Sequence, residues 1–320
     1  MAHLKLLAGI FLLLLSSPVL SQIDYHEEEP NETLPASFLS GNPLFLPGDR
    51  LIGSISPDDI DAHYIRFKGA ETPGIYRYTF YLYDRNQAGG DPVLFLFDTH
   101  DSPFLLGAYD DFPGLGLNSR VIFDHFDTTG NDLVYGVGIA GATPFEEFDY
   151  AVEWSRERTP VTALGALAGG FRQVVGANSP GEGDWYSFTL DQERSLSIDT
   201  LGSELADTEL ALFDENGNTI AGNDDIDLFG GITAARIETR LPAGTYYVTV
   251  GPFDSQYNWN NLLNEPLGWD RAGFSADIFS GRYQLNFHVV PEPGSLFTLA
   301  SGLSCLALFL KRRRRQRPRL

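Results

Sequence analysis

The amino-acid sequence predicts an all-β protein made of two tandem β-sandwich domains, with a leader before them and a single hydrophobic helix after them. Three observations carry this prediction. From residue 41 onward the chain runs as short alternating apolar and polar stretches broken by Gly, Asp, Asn and Pro, the pattern of half-buried strands joined by turns. No window holds an apolar stripe at helical spacing over a useful length. The middle of the chain also repeats itself, which points to two copies of one domain.

The first element is a leader. Residues 1–21 contain His3 and Lys5, the apolar run Leu6 to Leu15, and small residues at Val19 and Ser21. That composition predicts a secretory signal peptide cut after Ser21 by signal peptidase. The apolar run is too short to favour an uncleaved anchor. Residues 22–40 are acidic and proline-bearing, with Glu27, Glu28, Glu29, Pro30 and Pro35 and no periodicity. They predict a flexible spacer.

The next two elements are the repeats, over residues 41–155 and 164–290. Asp91, Leu94, Leu96, Phe97 and Asp98 return as Asp207, Leu210, Leu212, Phe213 and Asp214. Tyr135 to Ile139 is matched by Tyr246 to Val250, and Gly53 and Asp61 are matched by Gly176 and Asp184. Blocks in one order with drifting offsets are what duplication followed by loop insertions leaves. The second copy is the clearer. Asp184 to Leu190 and Ser195 to Leu201 alternate, so one set of side chains can face a core and the other water. Asp214 to Thr219 reads as a hairpin turn, with Asn216–Gly217 supplying its positive φ angles. Trp154 and Trp185 sit on strand patterns and are read as core.

The succession "GDWYSFTL", "ELALFDENGNTIAGNDD" and "LPAGTYYVTVG" is similar to bacterial pre-peptidase C-terminal domains. The resemblance covers residues 165–290 well and 41–155 more loosely. It implies a jelly-roll-like β-sandwich with a binding, spacing or solubilising role and no catalysis of its own.

The last element, residues 291–320, has three parts. Val290–Pro291–Glu292–Pro293 is followed by the uncharged stretch 295–310 and then by Lys311, Arg312, Arg313, Arg314 and Arg315. The stretch is close to the length of a membrane helix, and the basic block would stay cytoplasmic under the positive-inside rule. This tail resembles the PEP-CTERM sorting signal of Gram-negative bacteria. The resemblance implies transient residence in the inner membrane, recognition by an exosortase, and delivery to the cell surface or extracellular matrix.

Composition limits the chemistry. The chain has 320 residues, 43% of them hydrophobic and 13% aromatic, so it can bury real cores. Its 43 acids outnumber its 22 bases, and eight of those bases lie at the two ends. The stretch between Lys5 and Lys311 therefore carries 14 bases against 43 acids, a net charge near −29. That acidity argues against nucleic acid as a partner. The one cysteine, Cys305, excludes a disulfide scaffold and Cys-based metal sites. No His-Glu-x-x-His and no Gly-x-Ser-x-Gly pattern is present. The protein is therefore expected not to be an enzyme and to need no cofactor. A secreted hydrolase with an unrecognised acid pair stays open as an alternative.

Two groups of residues are candidate sites. Asp214, Asn216 and Asn218 alternate through a turn, with Asp224 and Asp225 following in a short loop. Hard oxygen ligands on such a loop suit Ca2+. The competing reading is that Asp and Asn are there as turn formers. The segment 253–281 is an insertion absent from the first copy and carries Tyr257, Trp259 and Trp269. Aromatic faces beside Asn and Asp side chains are how sugar sites are built, which makes extracellular polysaccharide a candidate partner. The alternative is that these rings cap the end of the sandwich.

Overall fold

The computed structural model describes residues 22–290 except 28–36, 39–42, 88, 99–103, 110–116, 128–129, 179–182, 206, 228–229, 253–254, 261–264 and 272–280. The leader and the tail lie outside the described residues. Among the described residues there is no helix, and none long and apolar enough to cross a membrane.

The first half contributes β1 (Asp24–His26), β2 (Ser37–Phe38), β3 (Leu44–Phe45), β4 (Arg50–Ile55), β5 (Ile60–Phe67), β6 (Gly74–Asp84), β7 (Pro92–Asp98), β8 (Phe104–Tyr109), β9 (Ser119–Asp127), β10 (Leu133–Gly141) and β11 (Phe148–Arg158). They form two sheets of order β1-β4-β11-β6-β9 and β2-β5-β10-β7-β8, with β3 also on β5. The second half contributes β12 (Val161–Ala166), β13 (Gly170–Asn178), β14 (Asp184–Leu190), β15 (Arg194–Asp199), β16 (Thr208–Asp214), β17 (Thr219–Asn223), β18 (Arg236–Leu241), β19 (Gly244–Pro252) and β22 (Gly281–Val289). Its sheets run β13-β22-β15-β18 and β12-β14-β19-β16-β17. Between β19 and β22 the insertion forms a separate antiparallel pair, β20 (Ser255–Asn260) and β21 (Glu265–Arg271).

With β1 and β3 set aside, the two strand orders are the same. Even the parallel edge pairing of β2 on β5 returns as β12 on β14. The register agrees residue by residue. Gly53 lies opposite Tyr150 and Gly176 opposite Tyr283. Asp61 faces Ile139, which faces Leu94, and Asp184 faces Val250, which faces Leu210. These are the blocks that repeat in the sequence.

Alternation fills each core. Tyr78, Phe80 and Leu82 on β6 are fully buried, as are Leu94, Leu96, Val137 and Ile139 across the sandwich. Phe67 sits edge-on to Phe80 and to Trp154, each at 5.0 Å between ring centroids, a favoured aromatic geometry. In the second core Tyr186, Phe188 and Leu190 face Leu285 and Phe287. Each such side chain contributes about 1.5–3 kcal/mol when fully buried.

Two expectations are refined. Asp24–His26 and Ser37–Phe38, within the stretch read as a flexible lead, are strands on the first sandwich. Three residues are too few to show periodicity, so β1 was not visible in the sequence. Trp154 belongs to the first core, but Trp185 points out of its own sandwich. It is 2% exposed because Ile75 and Phe126 of the first sandwich cover it, together with Phe213 and Tyr247 of the second.

Candidate functional site

The joint between the sandwiches is built on β6, β9 and β14. Alternation aims Arg77 and Asp124 outward from the first sandwich and Trp185 outward from the second. The Arg77 guanidinium donates to both Asp124 oxygens, at 2.9 and 3.1 Å, and to the Gly183 carbonyl at 3.0 Å. Trp185 Nε1 donates to Asp124 Oδ2 at 2.8 Å, and Thr159 Oγ1 to Oδ1 at 3.2 Å. Asp124 is thus a buried anion with four donated bonds, which is the condition under which a buried charge is tolerated. A cleft of about 540 Å³ opens beside the joint, lined by Phe126, Arg158, Glu215 and Tyr247 among others.

A second feature recurs in both copies. Tyr150 on β11 crosses over Gly53, where a Cβ would collide with its hydroxyl. That hydroxyl donates to Glu27 Oε2 at 2.8 Å, and Glu27 Oε1 accepts the Ser54 N–H at 2.6 Å. Asp61 lies fully buried beside this pair, with both oxygens lacking a hydrogen-bond partner. Burial first, and then the Glu27 carboxyl, push Asp61 up to about 9. In the second copy the Tyr283 hydroxyl crosses over Gly176 and donates to Asp184, with the Tyr186 hydroxyl alongside. Burial, then Asp184, raises Tyr283. Its carboxylate partner is the strand-start Asp itself, whereas in the first copy Glu27 takes that role.

The residues read as calcium ligands divide into two groups. Asp214 Oδ1 accepts the N–H groups of Asn216 and Asn218, each at 2.8 Å, and Oδ2 accepts Asn218 Nδ2 at 2.8 Å. Gly217, at φ +82°, closes the turn. Partial burial opposes ionisation of Asp214, but the bonds from Asn218 and Asn216 outweigh it and hold the carboxyl below its ordinary value. Asp214, Asn216 and Asn218 therefore serve the hairpin, as turn formers do.

Asp224 and Asp225 lie elsewhere, beside Asp207. One ligand oxygen from each of these three half-buried carboxylates falls within 4.8 Å of the others. The β16–β17 hairpin makes this meeting, because Leu210 pairs with Asn223 and so returns the loop to the start of β16. Asn223 holds the loop there, accepting the Arg236 N–H at 2.7 Å and donating to the Asp225 carbonyl at 3.2 Å. Asp225 Oδ1 is buried without a hydrogen-bond partner. Three converging carboxylates form a donor set that fits a hard divalent cation. In the sequence Asp207 is only a landmark of the repeat, and nothing local marks it as a ligand.

In the insertion, the β20–β21 register places Tyr257 opposite Trp269 and Trp259 opposite Pro266. The sorting residues Pro291, Glu292, Pro293 and Lys311 to Arg315 lie outside the described residues, as do Asp101, Asp110 and Asp111 of the first copy.

With this geometry in view, comparison with known proteins is informative for one part of the chain. Residues 182–252 match the bacterial pre-peptidase C-terminal domain. This segment runs from β14 to the end of β19 and includes the hairpin and the carboxylate cluster. No curated protein matches the chain. Among solved structures, the pre-peptidase C-terminal domain of collagenase from Bacillus anthracis is similar at 14% identity, over 41% of this chain and 97% of that one, with a TM-score of 0.28. The CUB1-EGF-CUB2 region of human MASP-1/3 is similar at 7% identity, over 75% and 99%, with a TM-score of 0.20. Tripeptidyl peptidase 2 is similar at 12% identity, over 78% and 26%, with a TM-score of 0.21. The fold rests on the strand order above and not on these distant likenesses.

Proposed function

We propose that this is an exported, non-enzymatic protein that displays a joined pair of β-sandwiches at the cell surface or in the extracellular matrix. The observation that carries this reading is the tripartite tail, Pro291–Glu292–Pro293 with the stretch 295–310 and the block Lys311 to Arg315. An exosortase acts on that tail after signal peptidase has removed residues 1–21. The sandwiches serve a structural or adhesive role, kept hydrated and soluble by their acidity. The match to a pre-peptidase C-terminal domain supports a non-catalytic role for the second sandwich. Replacing Pro291–Glu292–Pro293 with alanines is expected to hold the protein in the membrane fraction. Normal release of that variant would contradict the reading.

In this reading Ca2+ braces the loops around Asp207, Asp224 and Asp225 by neutralising their clustered charge. A ligand that binds only the folded state stabilises by mass action, so calcium should raise the melting temperature and a chelator should lower it. The Asp225→Asn variant should lose that response. A midpoint indifferent to calcium in the parent protein would exclude the brace.

A second reading is a surface lectin. It draws on the pairing of Tyr257 with Trp269 in the β20–β21 hairpin. Trp269→Ala and Trp259→Ala should then abolish binding on a glycan array with folding intact, and absence of glycan binding by the parent protein would remove this reading.

A further inference from the structure

The two sandwiches differ in how one sheet edge is finished. In the first, β1 covers the outer edge of β4 as a parallel strand, with Asp24 opposite Arg50 and His26 opposite Ile52. The ladder is real: the Arg50 N–H donates to the Ile23 carbonyl and the Glu27 N–H to the Ile52 carbonyl, each at 2.9 Å. The Arg50 guanidinium grips the Asp24 carboxylate through two bonds, at 2.8 and 2.9 Å.

In the second sandwich the equivalent strand is β13, which pairs with β22 on one side. Among the described residues no strand pairs with its other edge. The shared register aligns Gly53 with Gly176, so Arg50 corresponds to Gln173 and Ile52 to Val175. The Gln173 N–H and the Val175 carbonyl therefore correspond to the two groups that hold β1 in the first copy. Burial follows the same contrast. Ile52 is 3% exposed, whereas Val175 is 61% exposed, as is Phe171 on the same strand. An uncovered edge bearing apolar side chains is a template for strand addition.

Charge indicates what would add. In a chain with 43 acids, β13 and β22 carry no Asp or Glu but do carry Arg172, Arg282 and His288. This strip therefore has no acid of its own, although His288 lies 3.4 Å from Asp199 of the neighbouring β15. The cations it offers are Arg282 and Arg172, the latter also donating to the Leu164 carbonyl. A second copy presenting the same strip would set its cations against these, which disfavours self-pairing. An acidic strand is favoured, and the strand seated on the first copy is itself of that kind.

We propose that the open edge of β13 is a docking edge for an extended acidic segment of a partner protein, which adds as a parallel strand. Backbone bonds to Gln173 and Val175 supply affinity, Arg172 and Arg282 select carboxylates, and Phe171 and Val175 take an apolar side chain between them. The docking edge stands on the fold alone and is independent of the export route.

The test uses the full-length chain and a labelled peptide of its own residues 22–29, the acidic stretch that contains β1. Because β1 already occupies β4, saturable binding is expected at the open edge, with new amide-exchange protection over residues 170–178. Gln173→Pro removes an edge N–H at a kind of position where proline is tolerated. It also gives up the Gln173 amide bonds to Gln284 and Asn286 on β22, so Gln173→Ala, which loses those bonds but keeps the N–H, is its control. Gln173→Pro should weaken binding by about tenfold or more. Arg172→Glu should weaken it comparably, and a peptide with its acids changed to amides should bind several-fold less well. Unchanged melting of both protein variants keeps the result from reflecting unfolding, and Val175→Glu provides a second edge variant if one of them fails to fold. Absence of saturable binding up to about 1 mM peptide, or binding unaffected by the β13 substitutions, would overturn the proposal. So would a dimer of the parent protein that Gln173→Pro dissociates, since the edge would then belong to a second copy.

Discussion

The first sandwich closes its β4 edge with its own acidic segment, while among the described residues no strand covers the equivalent β13 edge of the second. The same pair differs in how a tyrosine hydroxyl is satisfied. Tyr150 bonds to Glu27, carried in by the edge segment, and leaves Asp61 buried without a partner. Tyr283 bonds directly to Asp184. Glycine opposite tyrosine and aspartate at the strand start persist in both copies because they sit in the ladder, where a Cβ or a one-residue slip would be felt. What changed lies at the edges, where a strand can be gained or lost without repacking the core. The two sandwiches share their interior register and differ at the rim.

That contrast can be broken in steps. The largest effect is expected at the joint. Trp185→Ala should cost about 3–5 kcal/mol, the usual range for deleting a buried tryptophan. Asp124→Ala should cost about 3–5 kcal/mol, because it strands the Arg77 charge in a buried site. Both should separate the unfolding of the two halves, which domain-resolved hydrogen exchange would record.

Next comes the buried Asp61. Its folded pKa lies above the unfolded value, so its contribution is fully present below the unfolded pKa, near 4, and is lost as pH rises toward about 9. The slope is at most about 1.4 kcal/mol per pH unit. Asp61→Asn should flatten this dependence and raise the denaturation midpoint more at pH 8 than at pH 5.

Smaller effects should come from the paired glycines. Gly53→Ala and Gly176→Ala each press a methyl group against a tyrosine hydroxyl, at about 1–3 kcal/mol for overpacking. Gly53→Ala should additionally loosen residues 22–27, because its Cβ also meets Glu27, and proteolysis of that segment would show it. The smallest change is expected for Asp214→Ala, about 1 kcal/mol for a partly exposed turn that loses its carboxylate bonds.

Much of the fold was legible in the sequence, and for a physical reason. Strands such as Asp184–Leu190 alternate because one face is buried, and the duplicated blocks lie in the paired interiors where register limits divergence. The joint was half legible. Trp185 was recognisable as a large aromatic that must be covered, but it stands on the outward set of its strand, and only tertiary contact identifies what covers it. The carboxylate cluster was partly legible for a similar reason. Asp224 and Asp225 announce themselves as neighbours, whereas Asp207 joins them only through the β16–β17 pairing. Asp214, Asn216 and Asn218 matched a ligand spacing, but the same spacing makes a turn, and local bonds claim all three. Strand β1 was not visible, because three residues in an acidic run carry no pattern until β4 gives them one.

The central claim is that two copies of one sandwich are fused into a single body through the Arg77–Asp124–Trp185 joint. Differential scanning calorimetry of the parent protein tests it most directly. One transition, with calorimetric and van't Hoff enthalpies equal, is the predicted result. Two separable transitions, or one whose calorimetric enthalpy is about twice the van't Hoff value, would mean that the sandwiches unfold independently and would contradict the account.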